Sequence, residues 1–173
     1  GNFVTGSAKG NIRLYSEMGK RAVNDFKGFG DPIIGIDVTM NGEWVVATTR
    51  DYLLVLRTIP KENQSASGFK NRIQRYSSPK TLKIKPIHIA KYHLESLSFT
   101  PAKFNIGDGV ESQIITSLGD YVITWDLNKI KRGIYDNYKI MKVAQVIIDN
   151  QYKFNKNQIV VTMPNNLRIQ NLK

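Results

Sequence analysis

The sequence predicts an all-β fold built from repeated small antiparallel sheets. Three observations carry this: a hairpin-like unit that occurs four times, the near-regular spacing of its copies, and weak helix signals. The copies cover residues 3–15, 44–56, 113–125 and 158–170, each a β-rich run, a short polar turn and a second β-rich run. With Gly6, Ala47, Thr116 and Val161 taken as equivalent, the copies are about 41, 69 and 45 residues apart. Two of these steps match the roughly 40–45 residues of a propeller blade.

The elements follow in chain order. Lys9-Gly10-Asn11 turns the first hairpin, Arg50-Asp51 the second, Gly119-Asp120 the third and Pro164-Asn165-Asn166 the fourth. Gly, Asn and Asp tolerate the positive φ that tight hairpins favour. Ahead of the second hairpin, Ile34, Ile36 and Val38 alternate with Gly35 and Asp37, and Met40-Asn41-Gly42-Glu43 turns that strand into Trp44. Comparable leading strands are expected at residues 96–104 and 144–154, and fourth strands at 20–26, 69–76 and 138–143. Residues 52–56 lack clean alternation, as a strand buried on both faces between neighbouring sheets should. One short helical turn is expected at residues 87–94.

Four strands repeated radially make a β-propeller blade. The chain is expected to form a single segment, residues 1–173, of about three and a half blades. It opens in the second strand of one blade and closes in the third strand of another. Closed propellers typically have 4–8 blades, so this is expected to be the C-terminal half of a larger propeller, completed by the remainder of its own longer chain. The long middle step is assigned to a surface-loop insertion at residues 60–80, rich in Ser, Asn, Gly and Lys.

Composition narrows the chemistry. The 173 residues contain no cysteine, which removes disulfide frameworks, thiolate nucleophiles and zinc fingers. The longest apolar run, Tyr52 to Leu56, is far short of the roughly 18 residues of a membrane-spanning helix. The first residues lack the basic start and apolar stretch of a signal peptide, so a cytoplasmic location is expected. Asn63-Gln64-Ser65 fits the glycosylation pattern but has no secretory context. Lys and Arg outnumber Asp and Glu by 25 to 14, a net charge of +11 that steers anionic partners inward.

Residues 6–15, 30–48 and 114–126 closely resemble the C-terminal domain of the vacuolar import and degradation protein twenty-seven family. The three blocks occur in order and span most of residues 3–127, while the last 45 or so residues resemble the family's tail more loosely. The resemblance implies a WD-repeat-like propeller at the C-terminal end of a longer fungal, cytoplasmic protein. It also implies a connection to turnover of gluconeogenic enzymes through vesicles and the vacuole. It transfers no catalytic or ligand-binding residue.

Catalytic patterns are weak. His88 and His93 are the only histidines, too few for a zinc site without cysteine. Ser7, Ser117 and Thr48 lie near turns, outside any nucleophile elbow. Asp31, Asp37, Asp51, Asp108, Asp120, Asp126 and Asp149 are spread along the repeats as turn formers, and Trp125-Asp126 looks like a WD-repeat strand ending. Gly107-Asp108-Gly109 reads as a turn, because no Gly-Lys-Ser/Thr follows to cradle phosphate. Trp44, Trp125, Tyr15 and Tyr121 recur at matching hairpin positions, as interblade packing requires. No metal and no cofactor is expected.

Lys70, Arg72, Arg75, Lys80, Lys83 and Lys85 fall in residues 68–85 with no acidic residue among them, and Tyr76 is interleaved. They are the candidate anion-binding residues; the competing expectation is a solvated loop and a charged outer strand that resists pairing. Ser77-Ser78-Pro79 within the run can accept phosphate. The expected function is a non-enzymatic protein-interaction scaffold whose partners are other proteins. The alternative is binding of anionic lipid or RNA through this run together with Lys129, Lys131 and Arg132.

Overall fold

Four antiparallel sheets follow one another along the chain in a computed structural model that describes residues 1–60, 63, 65–75, 77–96, 98–107, 110–143, 149–155, 158–163 and 166–171. The first sheet holds β1 (Phe3–Gly6), β2 (Ile12–Tyr15) and β3 (Asn24–Phe26). The second holds β4 (Gly35–Val38), β5 (Trp44–Thr48), β6 (Leu53–Arg57) and β7 (Lys80–Leu82). The third holds β8 (Lys103–Gly107), β9 (Val110–Leu118), β10 (Tyr121–Asp126) and β11 (Tyr138–Lys142). The fourth holds β12 (Asp149–Asn155), β13 (Gln158–Met163) and β14 (Asn166–Asn171). Strands pair in chain order within each sheet, the meander of a propeller blade. Two short helices, α1 (Pro86–Tyr92) and α2 (Leu127–Lys131), lie between strands.

Strands β4, β8 and β12 neighbour one another from blade to blade, so they are the inner strands. β1 in turn neighbours β4 of the second blade. Among the described residues, two four-stranded sheets thus stand between two three-stranded ones.

The turns show which local chemistry is used. Gly10, Gly42 and Gly119 have φ of 77°, 71° and 55°, the left-handed region a Cβ disfavours. Arg50 and Asp51 depart from expectation, since neither has a positive φ. There the Thr49 side chain closes the turn, its hydroxyl accepting from the Tyr52 N–H at 3.2 Å and donating to the Tyr52 carbonyl at 2.7 Å. Ser7 does the same work in the first hairpin, accepting from the Asn11 N–H at 3.0 Å. Pro164-Asn165 and Asp108-Gly109 lie outside the described residues, as do residues 144–148 of the expected leading strand at 144–154, the rest of which lies in β12 from Asp149.

Both faces of the second blade are buried, which explains the broken alternation of β5 and β6. Trp44, Val46, Leu53, Val55 and Leu82 pack toward the third blade, against Phe99, Phe104, Ile114, Ile123 and Trp125. Val45, Ala47, Leu54 and Leu56 pack toward the first, against Ile12, Leu14 and Phe26. Each such aliphatic side chain contributes roughly 1.5–3 kcal/mol by leaving water.

Two expectations are corrected. The fourth strand of the second blade is Lys80–Leu82, whereas the described part of the expected strand at 69–76, residues 69–75, forms no strand. Phe69 and Ile73 stand four apart and are buried, but as anchors in the core between the first and second blades. The leading strand expected at 96–104 lies further along, at Lys103–Gly107, preceded by a lone bridge from Phe99 to Leu118. Asp126 does end β10, as read from the sequence, and is also the N-cap of α2, accepting from the N–H groups of Asn128 at 2.8 Å and Lys129 at 3.3 Å. Among the described residues no helix is long and apolar enough to cross a membrane.

Candidate functional site

Residues 58–79 connect β6 to β7, and described residues of this connection line a concave surface. Asn24 of β3 fixes this connection: its amide donates to the carbonyls of Gly68 at 2.5 Å and Asn71 at 2.9 Å and accepts from the Ile73 N–H at 2.9 Å. With Phe69 and Ile73 sunk into the core, part of the segment is a packed strap. Between the strap, the strands beneath it and the α2 region lies a cleft of 580 Å³.

Its lining divides into floor and rim. Trp44, Val55, Leu56 and Ile73 are buried and apolar. Arg75, Lys80 and Lys131 are exposed beside them, with Ser77 and Ser78. Glu43 is the one carboxylate among the described lining residues, and Arg57 occupies it at 2.7 Å. No carboxylate pairs with Arg75, Lys80 or Lys131 among the described residues, so the rim carries net positive charge.

The six residues of the basic run separate in space. Arg75 and Lys80 enter the cleft. Arg72 lines a smaller hollow of 360 Å³ beside it, which Arg75 also touches. Lys70 is exposed on the strap. Lys83 stands 5.1 Å over the Tyr52 ring, and Lys85 pairs with Asp136 at 3.2 Å. Tyr76 lies outside the described residues. Of the three cations beyond the run, only Lys131 reaches the cleft; Lys129 donates to Asn137 at 2.8 Å and Arg132 to the Asn128 carbonyl at 3.3 Å. Lys131 could have been found from Leu127 and Ile130, which are buried and turn α2 so that Lys131 stays exposed.

Groups weighed for catalysis are engaged separately. Asp31 accepts from the Tyr52 hydroxyl at 2.5 Å, and Asp120 pairs with Lys142 at 3.5 Å. Thr48 accepts from the Ala102 N–H at 2.8 Å, and His88 Nδ1 shares a hydrogen bond of 2.7 Å with the Tyr138 hydroxyl. Burial, then the Asp31 hydrogen bond, push the Tyr52 phenol up to about 12. Trp125 and Trp44 sit in the core between the second and third blades, while Tyr15 stacks on Phe3 and Tyr121 packs at the edge of that core. Among the described residues no three His, Asp or Glu side chains gather to hold a metal ion.

Comparison with known proteins accords with this architecture. Residues 1–173 match the family described as the VID27 C-terminal WD40-like domain. Vacuolar import and degradation protein 27 of Schizosaccharomyces pombe is 36% identical over 176 residues, covering 96% of this chain and 22% of that protein. The Saccharomyces cerevisiae protein of the same name is 32% identical over 185 residues, covering 100% of this chain and 24% of its own. The chain thus spans about a quarter of the length of these relatives. The β-propeller domain of Cps50 (Swd1) from Myceliophteria thermophila superposes with a TM-score of 0.70 at 13% identity, covering 99% of this chain and 48% of that one.

Proposed function

Because this chain belongs to the VID27 C-terminal WD40-like domain family, we propose that it is a non-enzymatic protein-interaction scaffold in a longer, cytoplasmic protein of vacuolar import and degradation. The names of both yeast relatives support the pathway. Segments outside this chain would complete the propeller, a reading supported by the match to 48% of a solved propeller chain and to about a quarter of the relatives' length.

The observation that carries the binding role is the cleft, with its apolar floor and a rim of three cations lacking carboxylate partners among the described residues. Such a surface fits an extended acidic segment of a partner protein, its apolar side chains on Trp44 and Ile73 and its carboxylates on the rim. Nucleic acid and membranes instead reward many phosphate contacts on one continuous face. The dispersal of Lys70, Arg72, Lys83 and Lys85 outside the cleft, with Lys83 over Tyr52 and Lys85 on Asp136, weighs against that alternative.

Anisotropy with a labelled acidic peptide carrying apolar residues tests the reading, alongside phosphoinositide vesicles and RNA at about 50 and 200 mM salt. Arg75→Ala/Lys80→Ala/Lys131→Ala is expected to weaken the peptide by about tenfold or more, and Lys70→Ala/Arg72→Ala to leave it nearly unchanged. Tight vesicle or RNA binding that depends on Lys70 and Arg72 would replace this reading with the basic-surface alternative.

A further inference from the structure

We propose that Ser78 is a phosphorylation site whose phosphate is received by Arg75, Lys80 and Lys131 across the cleft. Ser77 and Ser78 are exposed and line the cleft with those cations, and neither makes a hydrogen bond among the described residues. Only Ser78 precedes a proline, the pairing that proline-directed protein kinases accept. Pro79 is buried and holds Ser78 at the rim. Residues 77–79 lie in neither helix nor strand, so Ser78 itself is outside the sheet ladder, with β7 beginning two residues later at Lys80.

The step balances with ATP as phosphoryl donor. The Ser78 Oγ–P bond forms, the bond from the γ-phosphorus to the βγ-bridging oxygen breaks, ADP leaves, and the hydroxyl proton passes to the kinase's base. The product brings a charge of about −1.5 to −2 and three acceptor oxygens. Arg75 and Lys80 approach from the second blade, and Lys131 from α2 in the third. Glu43, already held by Arg57, presents no unpaired negative charge against the newcomer. The phosphate therefore ties two blades together at their rim and occupies the cations that an acidic segment would use.

The test treats the full-length protein, with Ser77→Ala and Ser78→Ala variants, with ATP and a proline-directed kinase, and maps the phosphate by mass spectrometry. Incorporation is expected at Ser78 and to persist in Ser77→Ala. The 31P signal lost in Ser78→Ala is then followed against pH. A free phosphoserine has its second ionisation near pH 6, and the cations are expected to lower it by about one unit. Lys131→Ala and Arg75→Ala, both exposed positions, should each return it toward 6 without lowering incorporation. Failure to modify Ser78 in the folded protein overturns the proposal, as does an ionisation that stays near 6 or a shift that survives both variants. Loss of peptide binding by itself bears only on the scaffold reading.

Discussion

The Asp37 carboxylate accepts a hydrogen bond from the Phe104 backbone N–H at 2.8 Å, joining the inner strands of neighbouring blades side chain to main chain. Two residues earlier, the Ala102 N–H donates to the Thr48 hydroxyl, also at 2.8 Å. The β8 edge turned away from β9 is thus satisfied by the side chains of the preceding blade, which answers the hazard of an unpaired edge.

Asp37→Ala should therefore destabilise the protein by about 1–3 kcal/mol, the cost of leaving a partly buried N–H without its acceptor. Asp37→Asn keeps a carbonyl acceptor and should recover most of the loss. Urea unfolding midpoints measure both, and equal losses would assign the effect to charge instead.

Leu53 and Leu54 are adjacent in β6 and fully buried, yet they serve different interblade cores. In a strand with one wet face only one of them would be sensitive. Here Leu53→Ala and Leu54→Ala should each cost about 2–5 kcal/mol. Denaturant titration of the two single variants checks this, and a tolerant partner would mean that one face of the second blade is open.

Tyr52 ionises at about 12 because burial and the bond to Asp31 favour its neutral form. The folded value lies above the ordinary 10 of an unfolded chain. Its contribution to stability is therefore complete below pH 10 and is lost as pH rises from 10 through 12. Absorbance near 295 nm should show one late-titrating tyrosine that Tyr52→Phe removes, and that variant should lose less stability between pH 10 and 12 than the parent.

What could be read from the sequence was the repeat: Gly10, Gly42 and Gly119 mark turns by a local steric requirement, and unbroken burial at Leu53 to Leu56 follows from apolar composition alone. What escaped was decided by distant packing. Phe69 and Ile73 have the apolar content of an outer strand, but the three hydrogen bonds of Asn24 hold that segment as a strap. The true outer strand, Lys80-Thr81-Leu82, has one buried apolar side chain and little strand signal. The basic run was visible as charge, yet its division among cleft, aromatic ring and ion pair depends on which way the strap leaves Asn24. Lys131 joins Arg75 and Lys80 only because α2 is capped by Asp126, a contact that the Trp-Asp reading overlooked.

The Asn24 anchor also bears on how the molecule could be divided. A backbone cut between Ser65, which is exposed, and Ala66 would give one chain carrying Asn24 and β6 and another beginning just before Gly68. The second chain would still supply Phe69, Ile73 and the edge strand β7, and Asn24 would still hold it at Gly68, Asn71 and Ile73. Because the two pieces interlock through both a core and a sheet, their reassociation would report whether the first and second blades are packed together, which makes this junction a site for split-reporter complementation.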